Sequence, residues 1–305
     1  MDQTGQVMET KPTHSAVSRV GPQTRDTVTI RTIERMARSG DPFACLTCYD
    51  ATTARLLERA GVHVLLVGDS AAEVILGFDR TIDAPFEFMV MITAAVKRGA
   101  PRTMVMGDMP FMSYHAGADQ AMVNAGRMMT EGRADCVKLE VDATYAPVVD
   151  RMTRAGIPVC AHVGSRPQTA ALRGGYGSSG RTLAEAQRIV DDAVAMEQAG
   201  CVLLLVEAVP DAVTQAILDQ TTVPLIGIGA GASPHGQVLV LQDLLGMTDQ
   251  PPRFAERVAM MGDAVTEAGR AWVERVAARK IGGKRYEMLE DGAIGVSPRG
   301  DVRRE

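Results

Sequence analysis

No apolar run among the 305 residues approaches the length of a membrane span. Runs of like charge are missing as well, and the formal net charge is −5. The chain therefore has neither a basic footprint for nucleic acid nor a charged tail. Cysteine is scarce and odd in number, with five residues. Cys45 and Cys48 form a CxxC, but no second pair or nearby histidine completes a metal set. Both lie in the apolar run FACLTC, where strand packing accounts for them, and a reducing cytoplasm suits such thiols. The first 27 residues contain no apolar block, so they are expected to form a disordered tail and not a signal peptide. A GxGxxG after the first strand candidate is also lacking: residues 48–55 read CYDATTAR, which weighs against an open dinucleotide-binding sheet.

Hydrophobic residues are plentiful at 46%, enough for a sizeable core. They come in short bursts: FACLTC (43–48), VHVLLVG (62–68), TMVMGDM (103–109), CVKLEV (136–141), PVCAHVG (158–164), VLLLVEAV (202–209), PLIGIGAG (224–231) and QVLVLQD (237–243). Amphipathic stretches separate most of them. This alternation indicates βαβ units and a parallel sheet, and eight strand candidates fit a closed (β/α)8 TIM barrel of the α/β class. Gly61, Gly99, Gly132, Gly156 and Gly200 end helical stretches and are expected to take left-handed caps. The segment 28–40 reads as an extra helix before the first strand, and 253–280 as a long closing helix. The expected organisation is a tail over 1–27, one barrel domain over 28–280 and a C-terminal tail over 281–305.

In such a barrel the active site lies at the C-terminal ends of the strands. The second apolar run ends in Asp69-Ser70, the third in Asp108, and the fourth carries Lys138 and Glu140. The fifth carries His162, and the sixth ends at Glu207. Residues two apart on a strand share a face, so Lys138 and Glu140 project together. Buried charges of this kind need pairing or a metal, and carboxylates suit a hard cation such as Mg2+. Each residue also has a plainer account. Asp69-Ser70 suits a helix cap, Asp108 a turn, Lys138 with Glu140 an ion pair, and His162 a satisfied core position. Ionisable residues ending five consecutive strands exceed what capping explains. The glycine-rich GIGAGA (227–232) stands where many barrels hold phosphate, or simply lets the backbone turn, and the GGYGSSGR loop (174–181) suits a lid or a flexible crossing.

In series, VLLVGDS (64–70), KRGAP (97–101), DMPF (108–111), VKLE (137–140), PVCAHVG with PQ (158–168), GGY with GR (174–181), LLLVEAVP (203–210) and PLIGIGAG with GQVLV (224–240) resemble the ketopantoate hydroxymethyltransferase family. The resemblance covers about residues 28–275. It implies a barrel of the phosphoenolpyruvate mutase/isocitrate lyase type. It also implies transfer of a one-carbon unit from 5,10-methylenetetrahydrofolate to 3-methyl-2-oxobutanoate, for pantothenate synthesis, in a cytoplasmic homodecamer. Carried over by motif, Asp69, Asp108 and Glu140 would hold Mg2+. Asp69, Ser70, Asp108 and Lys138 would bind substrate, and Glu207 would accept the proton.

Several stretches depart from the family pattern. A Leu-Gly-Met-like stretch becomes Ala71-Ala72-Glu73, and two glycines after VKLE become Val141-Asp142. Leu-Pro-Val-Thr becomes Ile82-Asp83-Ala84-Pro85, and Gly-Leu-Thr-Pro-Gln becomes Gly164-Ser165-Arg166-Pro167-Gln168. A helix histidine is replaced by Ile92, and His-Asp after the eighth strand by Gln242-Asp243. Glu73 and Arg166 in particular raise the alternative of a divergent paralogue acting on another 2-oxoacid. A Mg2+-dependent carbon–carbon lyase or mutase of the related superfamily is a further alternative.

Overall fold

Alternation between lumen and helix layer organises the sheet of the computed structural model, which describes residues 26–288. The strands are β1 (Phe43–Thr47), β2 (Val64–Val67), β3 (Met104–Asp108), β4 (Cys136–Glu140), β5 (Val159–Gly164), β6 (Leu203–Glu207), β7 (Leu225–Ile228) and β8 (Gly236–Leu239). They close as a parallel barrel in sequence order, with β8 returning to β1. The helices are α1 (Ile30–Ser39), α2 (Ala51–Ala60), α3 (Ala71–Val74), α4 (Phe86–Gly99), α5 (Ala118–Thr130), α6 (Ala146–Arg154), α7 (Leu183–Gln198), α8 (Asp211–Gln220), α9 (Leu241–Leu244) and α10 (Met261–Ala277). The expected (β/α)8 barrel is the fold.

One parity of each strand faces the lumen. Phe43, Cys45, Val64, Leu66, Met104, Met106, Cys136, Cys160, Leu203, Leu205, Ile226 and Val238 fill it as one buried cluster. The other parity, including Val105, Val137, Leu139, Val159, Leu204 and Val206, faces the surrounding helices. Each fully buried Leu or Met contributes ~1.5–3 kcal/mol through its removal from water. The lumenal parity carries on past this apolar plug into Asp108, Lys138, Glu140, His162 and Glu207. Polar residues thus stand above an apolar floor because of the strand period alone. The CxxC does not act as a unit: Cys45 lies in the lumen and Cys48 among the helices, and both thiols are free.

Three expectations differ in detail. The eighth run begins at Gly236, and Leu241–Leu244 is already helical. No helix separates β7 from β8. Gly229 and Gly231, with φ of 57° and 80°, turn the chain back within a short loop. Of the five glycines, Gly61, Gly156 and Gly200 take positive φ, whereas Gly99 and Gly132 do not. Gly99 serves a close approach, since a Cβ there would lie 2.2 Å from the Ala51 carbonyl oxygen on α2. Backbone cannot yield as a side chain can, so Gly99→Ala should destabilise the protein by ~1–3 kcal/mol, read from the shift of its denaturant midpoint.

The described chain divides into two compact units between Ala259 and Met260, inside the segment 28–280 that the sequence reading treats as one domain. In the first unit, residues 253–259 are not helical. The Phe254 ring covers Gly229, and the Val258 N–H donates to the Leu244 carbonyl at 2.9 Å, which holds this segment away from helical geometry. The second unit holds α10, on which Val265, Trp272 and Val273 are exposed. The tails expected over 1–27 and 281–305 lie mostly outside the described residues.

Candidate active site

The C-terminal mouth of the barrel opens into a cavity of about 790 Å3 lined by Asp69, Ser70, Asp108, Lys138, Glu140, His162 and Glu207, among others. All the residues expected at the site are therefore brought together. Their placement follows the register. Asp108 pairs with Lys138 between β3 and β4, Glu140 with His162 between β4 and β5, and Gly164 with Glu207 between β5 and β6.

Asp69 and Ser70 do not cap a helix. Ser70 makes no capping bond to α3, and its hydroxyl lies 2.9 Å from the Tyr49 hydroxyl instead. The Asp69 backbone N–H donates to Asp108 Oδ2 at 3.0 Å, and its carboxylate accepts from Gln168 Nε2 at 2.9 Å. Lys138 Nζ lies 2.9 Å from Asp108 Oδ1 and 3.8 Å from Glu140 Oε1. Burial pulls the Lys138 ammonium down, but the charges of Asp108, Glu140 and Asp69 outweigh it and hold the ammonium above its ordinary range. Burial raises the Asp108 and Glu140 carboxyls against the pull of Lys138. Three acids face one ammonium here, so full ionisation of the buried floor needs a further positive charge.

His162 is 2% exposed, and burial, then the Lys138 and Arg166 charges, push its pKa well below the ordinary value. The ring is neutral. Nδ1 faces the Lys138 ammonium at 3.4 Å and must accept, so the proton sits on Nε2, which lies 3.5 Å from Glu207 Oε2. Glu207 is itself pushed up to about 7, first by burial, with Lys138 pulling the other way. Ala208 follows it with φ of 48°, an uncommon conformation for a residue with a Cβ, and this turn ends β6 at the pocket.

Gln168 is the organiser that the sequence reading quoted in a motif but gave no role. Its Nε2 donates to Asp69 and to the Met109 carbonyl, and its backbone N–H donates to Glu140 Oε2 at 2.9 Å. The buried Tyr114 hydroxyl donates to Gln168 Oε1 at 2.8 Å and accepts the Glu140 N–H at 3.2 Å. One residue thus fixes two of the acids, Asp69 through its side chain and Glu140 through its backbone N–H. Gln168→Leu should lower kcat/KM by ~10–100-fold through a misplaced Asp69, checked by steady-state kinetics across a Mg2+ titration.

Two readings left open by the sequence narrow. Arg166 does not face the cavity: it pairs with Asp142 at 2.8 Å, so two departures from the family pattern neutralise each other. The glycine-rich turn makes no phosphate cradle. A Cβ on Gly231 would meet the Asp211 carboxylate at 2.4 Å, and one on Gly229 would meet the Phe254 ring at 2.5 Å. The glycines make room for an acid and an aromatic, and an acid there opposes an anion.

No group of three or more His, Cys, Asp or Glu among the described residues is arranged as a ready metal cage. Mg2+ needs less, because it keeps waters and takes one or two carboxylates with substrate oxygens. Asp108 Oδ1 meets only the Lys138 ammonium, and Glu140 Oε1 is buried with no hydrogen-bond partner. Clustered carboxylate oxygens with so few donors fit a divalent cation.

The model of the family described as ketopantoate hydroxymethyltransferase matches residues 27–283. The 3-methyl-2-oxobutanoate hydroxymethyltransferase of Halorhodospira halophila (strain DSM 244 / SL1) is 45% identical over 259 residues, covering 85% of this chain and 94% of the relative. The enzyme of that name from Shouchella clausii (strain KSM-K16) is 42% identical, covering 82% and 90%. Among solved structures, 2,3-dimethylmalate lyase, a PEP mutase/isocitrate lyase superfamily member, superposes with a TM-score of 0.55 at 19% identity, covering 87% of this chain and 92% of that one. Phosphoenolpyruvate phosphomutase from Streptomyces platensis subsp. rosaceus gives 0.56 at 12%, covering 83% and 89%. These two likenesses concern the fold.

Proposed function

The chain belongs to the ketopantoate hydroxymethyltransferase family, and we propose that its strand-end residues divide that family's reaction among themselves. The activity is transfer of a hydroxymethyl group to 3-methyl-2-oxobutanoate, which gives 2-dehydropantoate. The observation that carries this reading is the convergence of Asp69, Asp108, Lys138, Glu140 and Glu207 on one cavity, in a chain this similar to named hydroxymethyltransferases.

In this reading Asp69, Asp108 and Glu140 hold Mg2+. When bound, Mg2+ supplies a Lewis acid that stabilises the enolate charge of a 2-oxoacid. Lys138 faces the substrate carboxylate and balances its charge. Ser70, steadied by Tyr49, orients the oxoacid. Glu207 removes the proton from C3, a task for which a carboxyl near neutrality is suited. The neutral His162 lies beside Glu207, with Nε2 3.5 Å from Oε2, and does not compete for the proton. The enolate carbon then bonds to the one-carbon unit of 5,10-methylenetetrahydrofolate, water supplies the hydroxyl oxygen, and tetrahydrofolate leaves. With Arg166 engaged by Asp142, nothing at that position calls for a larger or more polar oxoacid.

The test supplies 5,10-methylenetetrahydrofolate labelled with 13C in its methylene group, together with Mg2+. The reading expects 2-dehydropantoate carrying one heavy carbon, and no product when EDTA removes the metal. Turnover of a larger 2-oxoacid in preference to 3-methyl-2-oxobutanoate would contradict the substrate. The family also carries an expectation of a homo-oligomer, which light scattering checks, with a monomer as the contrary result. A reducing compartment such as the cytoplasm accords with five free, buried cysteines. No helix among the described residues is long and apolar enough to cross a membrane.

A further inference from the structure

Two departures from the family pattern meet in one ion pair. Arg166 stands where the pattern has threonine, and Asp142 where it has the second of two glycines. Arg166 Nη1 donates to Asp142 Oδ2 at 2.8 Å, with the two side chains 17% and 29% exposed. The other carboxylate oxygen, Asp142 Oδ1, accepts the Thr144 N–H at 3.1 Å and the Thr144 hydroxyl. Burial pushes the Asp142 carboxyl up, but Thr144 and Arg166 outweigh it and hold it below its ordinary range.

The pair joins the two turns that frame Gln168. Arg166 has extended backbone, with φ of −122° and ψ of 104°, as a following proline favours. Its carbonyl accepts the Thr169 N–H and the Thr169 hydroxyl, both at 3.0 Å, which closes the turn around Gln168. Proline fixes its own φ, so the direction of Gln168 follows from where Arg166 is held. On the other side, Asp142 heads the 3-10 turn Ala143–Tyr145. The Tyr145 ring meets the Tyr114 ring edge-on, 5.8 Å between centroids, and the Tyr114 hydroxyl donates to Gln168 Oε1. The contacts thus form a ring: Gln168, Tyr114, Tyr145, Asp142, Arg166, and back to Gln168 through Pro167. Two glycines at 141–142 would leave that ring open, with no carboxylate and the freest of backbones. Here Val141 is buried in the helix-facing core, and Asp142 is tied to Arg166.

We infer that the Arg166–Asp142 pair is a positioning latch: it holds the turn that carries Gln168, and through Gln168 it sets Asp69 and Glu140 at the catalytic floor. Neither residue lines the cavity, so both act as positioning residues and touch no substrate. The route is short. Gln168 Nε2 holds the Asp69 carboxylate, and the Gln168 N–H holds Glu140 Oε2. A partly exposed ion pair adds little to stability, so the latch should show in the site far more than in the fold. The kinetic part of this inference rests on the reaction read above, whereas the metal-binding part needs only the acids.

The test compares the full-length parent with Arg166→Met, Asp142→Asn and the double variant. Mg2+ binding is followed by calorimetry, kcat by steady-state kinetics, and stability by the urea midpoint of the metal-free protein. Each single variant should weaken Mg2+ binding and lower kcat by ~tenfold, the low end of what a group supporting a metal ligand contributes. The double variant should be no worse than either single one, since either change opens the latch. Arg166→Lys keeps the charge and should retain most of the parental affinity. In a Gln168→Leu background, Arg166→Met should have a clearly smaller effect, because Asp69 has already lost its holder. An equal effect in both backgrounds would overturn the route through Gln168. A lower urea midpoint with parental Mg2+ affinity and kcat would make the pair merely structural and overturn the latch, as would parental values throughout. Deuterium exchange at C3 of the oxoacid separates the two levels. Unchanged variants of a parent that exchanges sink the latch alone, whereas a parent that neither binds Mg2+ nor exchanges sinks the functional reading with it.

Discussion

Glu207→Gln should slow hydroxymethyl transfer by ~10²–10⁴-fold, the range that a positioned general base contributes. The amide keeps the size and the contact with His162 but cannot take a proton. Substrate binding should persist, since Asp69, Asp108, Lys138 and Glu140 are untouched, so the loss falls on kcat. The parent protein has a matching pH signature. Glu207 must be ionised to act and titrates at about 7. Activity should therefore be low in acid, rise with pH through about 7, and level off above it, whereas the residual activity of Glu207→Gln should lack that rise. Initial rates over a pH series in both proteins check this. A variant that retains parental kcat would remove Glu207 as the base.

Lys138→Met has the second large effect, on stability as much as on catalysis. The ammonium is 4% exposed and sits 2.9 Å from Asp108 Oδ1. Removing it leaves buried carboxylates without their counter-charge, which typically costs ~3–5 kcal/mol. The loss should appear in urea unfolding of the metal-free protein and shrink when Mg2+ is added, because a cation at the floor replaces part of the missing charge. Lys138→Met combined with Glu140→Gln should be less destabilised than the two single changes added together, since Glu140→Gln relieves the imbalance that Lys138→Met creates. Simple additivity would mean that Lys138 packs by its carbon chain and not by its charge.

Strand periodicity made the barrel and the acids legible. Asp108, Lys138, Glu140 and Glu207 continue the same parity that buries Met106, Cys136 and Leu205 below them, so their placement follows from counting by two. Less local features were not readable that way. Gln168 reaches Asp69 across 99 positions and Glu140 across 28, from a single 3-10 turn (Pro167–Arg173) whose sequence has no periodic signal. Gly99 looks like a helix cap because its neighbours end a helix, yet the contact that requires a glycine is on α2. The segment 253–259 has helical composition, but Phe254 is held over Gly229 by tertiary packing. Arg166 suggested a new substrate only while its partner was unknown, and Asp142 lies 24 positions away.

The central claim is that these acids, Mg2+ and Glu207 make an enolate of 3-methyl-2-oxobutanoate. Solvent exchange tests this most directly, since it needs no folate. The oxoacid is incubated with the protein in D2O, with Mg2+ or with EDTA, and deuterium at C3 is read by NMR. The account predicts exchange with Mg2+, none with EDTA, and none from Glu207→Gln in either case. Exchange that persists in EDTA, or in Glu207→Gln at the parental rate, would contradict it.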